Sequence, residues 1–154
     1  METGALYFWT ATINNWQKLL LHDAYKDVLV ASLQHLSSLN NIDVFAFVLM
    51  PNPIHVIGRI KESKGKETPQ GSFLKYTAHE FKKRWKSKNP QALNTYAVSA
   101  SNKSFEFWQS DSLAIRLYPK EVAMQKLRYI HNHPMAEHGN VVKNPCDYQY
   151  SSAR

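Results

Sequence analysis

A proline-stiffened turn between two apolar runs constrains the fold of this sequence more than any other feature. The runs at positions 44–50 and 54–57 are rich in β-branched and aromatic residues, which is typical of strands. Between them lies Pro51-Asn52-Pro53, in which proline fixes φ and asparagine tolerates a left-handed backbone. The sequence therefore predicts a β-hairpin whose second strand runs to Ile60.

The second strand of this hairpin begins with a histidine whose direction is set by the strand itself. Side chains alternate along a strand, so positions 53 and 55 point to one face and Ile54 points to the other. A ligand, a hydrophobic residue and a second ligand in this order would aim two groups at one point. The sequence supplies Pro53 and then His55.

The other predicted elements alternate between strands and helices. A first strand is predicted over 6–13, and a helix over 24–39 with Asp23 as its N-cap. After an exposed loop at 61–71, further predicted elements are a helix over 72–86, a polar connection over 89–104, strands over 105–109 and 113–118, a helix over 120–132 and an irregular tail. The order β-α-β-β-α-β-α predicts an α+β fold of ferredoxin-like type, with helices packed on an antiparallel sheet. The 154 residues are expected to form a single domain, 1–154.

Composition narrows the class of partner. The formal charge is +7, with 44% hydrophobic and 12% aromatic residues. A basic, aromatic domain of this size favours nucleic acid as its partner, ahead of an anionic membrane, and solubility alone is the plain alternative. The single cysteine allows no internal disulfide. With no signal-peptide pattern and no apolar run near the ~20 residues of a membrane span, the sequence predicts a cytoplasmic protein without membrane attachment.

The predicted helix over 72–86 has one apolar stripe and one basic face. Phe73, Thr77, Phe81 and Trp85 recur every four residues and are expected to face the core. The opposite face is one-sided in charge, which favours a phosphate-binding surface over a merely solvated one. The predicted nucleic-acid-binding residues are Lys75, Lys82, Lys83 and Lys86 of this helix, together with Arg59 and Lys61, which share strand parity with His55 and are expected on the same side of the sheet.

The third helix has the most distinctive polar pattern. Gln125, Tyr129 and His133 are spaced i, i+4 and i+8, which places them on one helix face. Taken alone, Tyr129 would more often be a packing residue with a satisfied hydroxyl, and His133 a surface or capping histidine. His55 alone is as often a hydrogen-bonded strand histidine as a functional one.

In combination these segments resemble a known family, the REP-associated tyrosine transposases, which are single-tyrosine HUH transposases of insertion sequences. The resemblance covers nearly the whole chain and rests on four segments. They are the hairpin 50–55, Phe107-Trp108-Gln109, the run 129–139 from Tyr129 to Gly139, and the ending Asp147-Tyr148-Gln149-Tyr150-Ser151-Ser152. The family's ferredoxin-like fold agrees with the element order predicted above.

The resemblance implies a chemistry for three residues. Tyr129 falls on the family's nucleophile, which attacks a phosphorus of single-stranded, hairpin-bearing DNA and forms a 5′-phosphotyrosine. His55 falls on the second HUH histidine, and His133 on the position four residues after the tyrosine that can ligate a metal. The implied cofactor is a divalent ion, Mg²⁺ or Mn²⁺, that polarises the phosphate.

The sequence departs from this family at two positions. Pro53 stands where the first HUH histidine is expected, and His133 stands where asparagine is more usual. In one interpretation His133 compensates, and a two-imidazole site favours manganese over magnesium. In the other, the chain is a catalytically impaired or domesticated DNA-binding protein of the same fold.

Several further expectations depend on the fold. An RNA-binding or protein-interaction domain is a third possibility, since ferredoxin-like folds host many functions. Trp108 and Tyr118 are candidates for stacking on bases, although core packing is favoured for Trp108. The sequence leaves monomer and homodimer open.

Overall fold

The chain folds into a four-stranded sheet with helices on both of its faces. The computed structural model describes residues 2–14, 19–62, 67–88, 107–109, 113–135 and 143–153. The main elements are β1 (Leu6–Ala11), α1 (Asp23–Ser38), β2 (Ile42–Leu49), β3 (Ile54–Ile60), α2 (Pro69–Lys88), β4 (Leu113–Arg116) and α3 (Lys120–Asn132). Short 3₁₀ turns cover Leu19–Leu21, His133–Met135 and Pro145–Asp147.

The order of strands in the sheet is β2-β3-β1-β4, and each neighbouring pair is antiparallel. The predicted hairpin is confirmed as β2 and β3, and the peptide bond between Asn52 and Pro53 in its turn is cis. Together with the element order β-α-β-β-α-β-α, this confirms the predicted α+β, ferredoxin-like fold.

Alternating side chains of β1 separate two layers of the core. Trp9 packs edge-on against Phe73 of α2, with ring centroids 5.7 Å apart, and α2 packs on α1 through Tyr25 and Phe81, also 5.7 Å apart. Phe8, the neighbour of Trp9, points the other way and packs against Tyr129 of α3. We call the side covered by α1 and α2 the helix-pair face, and the side covered by α3 the site face.

Several predicted boundaries are wrong by a few residues. The first strand ends at Ala11 rather than Ile13. The first helix begins at Asp23 itself, with His22 at the N-cap, and the Asp23 carboxylate pairs with Lys26 at 3.2 Å instead of capping. The loop predicted to reach position 71 ends earlier, because α2 begins at Pro69, and proline is well suited to a first helical turn.

The strand predicted over 105–109 is reduced to an isolated bridge between Trp108 and Ile13 within the described residues 107–109. Trp108 is buried, and its indole N–H donates to Thr77 Oγ1 at 2.9 Å. This confirms core packing for Trp108 rather than base stacking. Positions 105 and 106 and the predicted connection over 89–104 lie outside the described residues, and the strand predicted over 113–118 ends at Arg116.

The tail, predicted to be irregular, docks along the free edge of β2. The Leu49 N–H donates to the Tyr150 carbonyl at 2.8 Å, and the Ser152 N–H donates to the Phe47 carbonyl at 3.0 Å. The Tyr150 hydroxyl donates to Asp27 of α1 at 2.8 Å, and Ser152 Oγ lies 2.9 Å from Nε2 of His131 in α3. The tail therefore ties helices on both faces to one strand. Among the described helices, none combines the length and apolar character that crossing a membrane requires.

Candidate active site

Three rings from two distant parts of the sequence meet on the site face. The ring of Tyr129 lies 5.3 Å from that of His55 and 5.2 Å from that of His133, measured between centroids. The two histidine rings lie 5.0 Å apart at an interplanar angle of 82°. The three rings therefore surround one small space.

Local structure explains how each ring reaches this position. Strand alternation puts His55 on the site face and Ile54 on the helix-pair face, as the sequence predicted. Tyr129 and His133 are four residues apart at the end of α3 and its following turn, so they lie one above the other. The fully buried Ile130 anchors this end of the helix in the core, whereas Met124 is exposed.

His55 is held by two residues of β1. The Thr10 hydroxyl and Nδ1 of His55 share a hydrogen bond of 2.8 Å, and the ring of Phe8 stacks on the imidazole at 5.2 Å. The second nitrogen, Nε2, is buried and has no hydrogen-bond partner among the described residues. Because Thr10 occupies Nδ1, the atom left for a ligand is Nε2.

The environment of His55 favours its neutral form. Burial is the main cause, followed by the neighbouring His133 and Lys126, and together they lower the pKa of His55 to about 3. A neutral imidazole at pH 7 keeps a lone pair on the nitrogen that carries no proton. His55 is therefore in the form that a metal ligand requires.

Tyr129 is half exposed, with 47% of its surface accessible. Its hydroxyl forms no hydrogen bond within the described part of the chain, whereas its ring packs edge-on against Phe8 and His55. Beside it lies a groove of about 220 Å³, lined by Gln125, Arg128, Tyr129, Asn132 and His133. The confirmed alignment of Gln125, Tyr129 and His133 thus forms one wall of an open groove.

The predicted basic residues are divided between the two faces. Arg59 is on the site face, in register with Leu6, and its guanidinium lies 5.1 Å from the ring of the exposed Phe45. Lys61 pairs with Asp43 at 3.5 Å. The remaining predicted lysines lie on the exposed side of α2, beyond the helix-pair face, and are Lys75 (3.8 Å from Glu67), Lys82, Lys83 and Lys86. The structure therefore does not bring the α2 lysines to the side of the sheet that holds Tyr129.

Sequence reasoning missed three residues of the site. Thr10 and Phe8 contact His55 only because β1 pairs with β3, and strand register is not visible in a single sequence. Lys126 precedes Tyr129 by three residues, so helical spacing alone could have placed it beside the tyrosine. Its ammonium lies 4.9 Å from the Phe8 ring centroid and 5.7 Å from that of Tyr129.

Solved structures share this fold. One is a REP-associated tyrosine transposase that was solved bound to a REP hairpin. The superposition covers 97% of this chain and 77% of the transposase chain, with a TM-score of 0.67 and 19% sequence identity. Another is a candidate transposase from Deinococcus radiodurans R1. The superposition covers 86% of this chain and 92% of that chain, with a TM-score of 0.50 and 14% sequence identity. The chain therefore has the fold of these transposase structures.

Comparisons that use the sequence alone find no match. No protein-family model matches the chain, and no curated protein matches it significantly.

The pKa of His55 predicts how stability depends on pH. Below about pH 6.5 the unfolded chain protonates this histidine, whereas the folded chain does not do so until about pH 3. This residue should therefore remove on the order of 2 kcal/mol of folding free energy between pH 7 and pH 5. The measurement is urea denaturation at both pH values, in EDTA, for the wild type and His55→Gln.

The variant should lose about 2 kcal/mol less than the wild type over this interval, because glutamine does not titrate. Comparing the two pH values within each protein removes the effect of the lost Thr10 hydrogen bond on absolute stability. An equal loss in both proteins would show that His55 is not held in its neutral form.

Proposed function

We propose that this protein is a single-tyrosine DNA strand transferase that acts on single-stranded, hairpin-bearing DNA. The observation that carries the proposal is the meeting of Tyr129, His55 and His133 on the site face, with ring centroids 5.0 to 5.3 Å apart. The shared fold with a tyrosine transposase that binds a REP hairpin supports the choice of substrate. The fold by itself does not establish a substrate, because one fold hosts many functions, so the proposal depends on the residues of the site.

Tyr129 is the nucleophile in this proposal. Its phenol oxygen attacks the scissile phosphorus, a new bond joins the tyrosine to the 5′ phosphate, and the bond to the 3′ oxygen breaks. The leaving 3′ oxygen ends as a hydroxyl, so it gains the proton that the phenol loses. One phosphodiester replaces another, which keeps the bond energy for rejoining the strand. The side chain is half exposed and its hydroxyl has no hydrogen bond among the described residues, so a DNA strand can reach it.

His55 and His133 are the residues that would hold a divalent ion. Their perpendicular rings, the buried and unpartnered Nε2 of His55, and its neutral form fit an imidazole site. When bound, such an ion supplies Lewis acidity and positive charge for the phosphate. Thr10 and Phe8 orient His55 toward this role, as partners of metal-binding histidines commonly do.

The alternative is a DNA-binding protein of the same fold that no longer cuts. It is favoured by Pro53, which has no side-chain ligand, and by the small number of metal donors described on the site face. Within the described ranges, no group of three or more His, Cys, Asp or Glu side chains is placed to hold a metal. An RNA-binding or protein-interaction domain is the third possibility, and a preference for ribose over deoxyribose strands would favour it.

DNA binding is assigned to two basic surfaces. Arg59 and Lys61, near the end of β3, serve the strand that enters the site face. The α2 lysines (Lys75, Lys82, Lys83 and Lys86) lie on the other side of the molecule and would contact phosphates remote from the reacting one. The exposed Tyr118, with the Arg116 guanidinium 4.6 Å from its ring, remains a candidate for base stacking.

Covalent trapping tests the nucleophile. Labelled single-stranded hairpin DNA is mixed with the protein in Mn²⁺, Mg²⁺ or EDTA, and the products are separated on a denaturing gel. The wild type should give a shifted band that Tyr129→Phe lacks, since phenylalanine has no oxygen to bond phosphorus.

The matched control is Tyr76→Phe, which removes the hydroxyl of another half-exposed tyrosine, on α2, and should leave the band intact. An adduct that survives in Tyr129→Phe would refute the assignment. If no protein forms an adduct under any condition while DNA binding stays salt-sensitive, the non-cutting alternative is correct.

Metal binding tests the two histidines without depending on catalysis. Calorimetry should show tighter binding of Mn²⁺ than of Mg²⁺, because imidazole nitrogen suits manganese better. His133→Leu should weaken Mn²⁺ binding by at least about tenfold. His79→Leu, at an exposed histidine of α2, is the control. Unchanged binding in His133→Leu would remove His133 from the site.

Salt dependence tests the α2 surface. Lys83→Gln combined with Lys86→Gln should reduce the slope of log K against log salt by about 1.4 to 1.8, since each phosphate contact contributes about 0.7 to 0.9. The adduct yield at saturating DNA should not change, because these lysines are remote from Tyr129. The control pair is Lys120→Gln with Lys143→Gln, which loses the same charge elsewhere. Equal slope changes in both pairs would indicate a net-charge effect and no binding surface on α2.

A further inference from the structure

Lys126 places a positive charge beside the ring of Tyr129 in the described site. It lies three residues before the tyrosine in α3, and its ammonium lies 4.9 Å from the Phe8 ring centroid and 5.7 Å from that of Tyr129. Phe8 in turn stacks on His55. One positive charge is thus placed against the group of rings that forms the candidate site, and it is close enough to help lower the pKa of His55.

This charge has no counterion in the described part of the chain. Lys61, Lys75 and Arg116 each pair with a carboxylate, whereas the charge contacts of Lys126 among the described residues are with the rings of Phe8 and Tyr129. The side chain is partly buried, so its ammonium has lost part of its water. Contact with aromatic faces replaces only a fraction of that solvation. An unpaired cation in such a place is suited to an anion that arrives from solution.

The proposed reaction requires positive charge on the site face, close to the phosphate under attack. A phosphodiester under attack carries negative charge on its non-bridging oxygens, and fixed cations that meet this charge are the main source of rate in phosphoryl transfer. Pro53 removes one of the ligands that would hold a metal ion there. A lysine that the fold itself fixes near the nucleophile can supply charge whether or not an ion is bound.

We propose that Lys126 is a catalytic residue whose ammonium donates a hydrogen bond to a non-bridging oxygen of the scissile phosphate. This inference rests on the proposed strand transfer by Tyr129. The lysine keeps its proton throughout. The bond from the tyrosine to phosphorus forms, the bond to the 3′ oxygen breaks, and the lysine neutralises charge on an oxygen that takes part in neither bond.

The first experiment measures the rate of adduct formation at saturating DNA for Lys126→Met, Lys126→Arg and Lys120→Met. Methionine keeps the length and packing of the side chain but removes its charge. Lys126→Met should be slower by about ten- to a hundredfold, as expected for one hydrogen bond to a charged group. Lys126→Arg should restore most of the rate. Lys120→Met, an exposed lysine of the same helix, should react at the wild-type rate.

The second experiment removes the charge from the DNA instead. A methylphosphonate at the scissile linkage replaces one charged oxygen with a methyl group. On this linkage, which is neutral before attack, the rates of the wild type and Lys126→Met should differ much less, because only the charge that develops during attack remains for the lysine to meet. An undiminished difference between the two proteins would overturn the proposal, and so would a wild-type rate in Lys126→Met on normal DNA.

A binding measurement separates this inference from the proposed function. If the wild type forms no adduct at all, strand transfer fails as the function, and the lysine is tested by affinity for hairpin DNA with one methylphosphonate placed at each linkage in turn. At one linkage the neutral group should weaken binding by the wild type but not by Lys126→Met. If no linkage distinguishes the two proteins, the phosphate contact of Lys126 is refuted independently of catalysis.

Discussion

The pairing of β1 with β3 is the interaction on which the candidate site depends. It sets Thr10 opposite His55 and Phe8 opposite Ile57, so that the hydroxyl and the aromatic ring that hold the histidine come from the neighbouring strand. A slip of one residue along a strand moves every side chain to the other face. With such a slip His55 would enter the layer beneath α1 and α2, and Tyr129 would face an aliphatic residue. The buried aromatic and aliphatic side chains on both faces of these central strands make that slip costly.

The helices have different roles on the two faces of the sheet. On the helix-pair face, Trp9, Phe73 and Phe81 form the aromatic core, and Thr77 satisfies the indole of Trp108 within it. On the site face, α3 is anchored by Ile130 but leaves Tyr129 half exposed. The tail joins the two layers at the edge of β2, through Asp27 on one side and His131 on the other. The packed core under α1 and α2 thus lies on one face of the sheet, and the open groove beside Tyr129 lies on the other.

The basic residues are also divided between the two faces of the sheet. The basic composition therefore does not correspond to a single binding surface. The one-sided lysines of α2 suggested a binding surface, and they lie exposed as expected, yet the sheet stands between them and Tyr129. A cation that does lie beside the tyrosine ring is Lys126, which the composition did not single out. Positive charge on the α2 surface can attract a polyanion to the molecule, whereas only charge on the site face is near enough to act on an anion bound beside Tyr129, because electrostatic effects in water weaken rapidly with distance.

The sequence by itself determined the fold class, the order of the elements, the hairpin with its turn, and the helical alignment of Tyr129 with His133. These follow from local rules, namely the periods of strands and helices, the turn chemistry of proline and asparagine, and i, i+4 spacing. It placed some boundaries wrongly, as at Asp23 and Pro69, because capping and first-turn residues resemble one another. Only the tertiary structure decided that His55 meets Tyr129 and His133, that Thr10 and Phe8 hold it, and that α2 lies on the opposite face. Those facts depend on strand register and on which side of the sheet each helix packs, and both are settled by burying apolar surface between residues that are far apart in the chain.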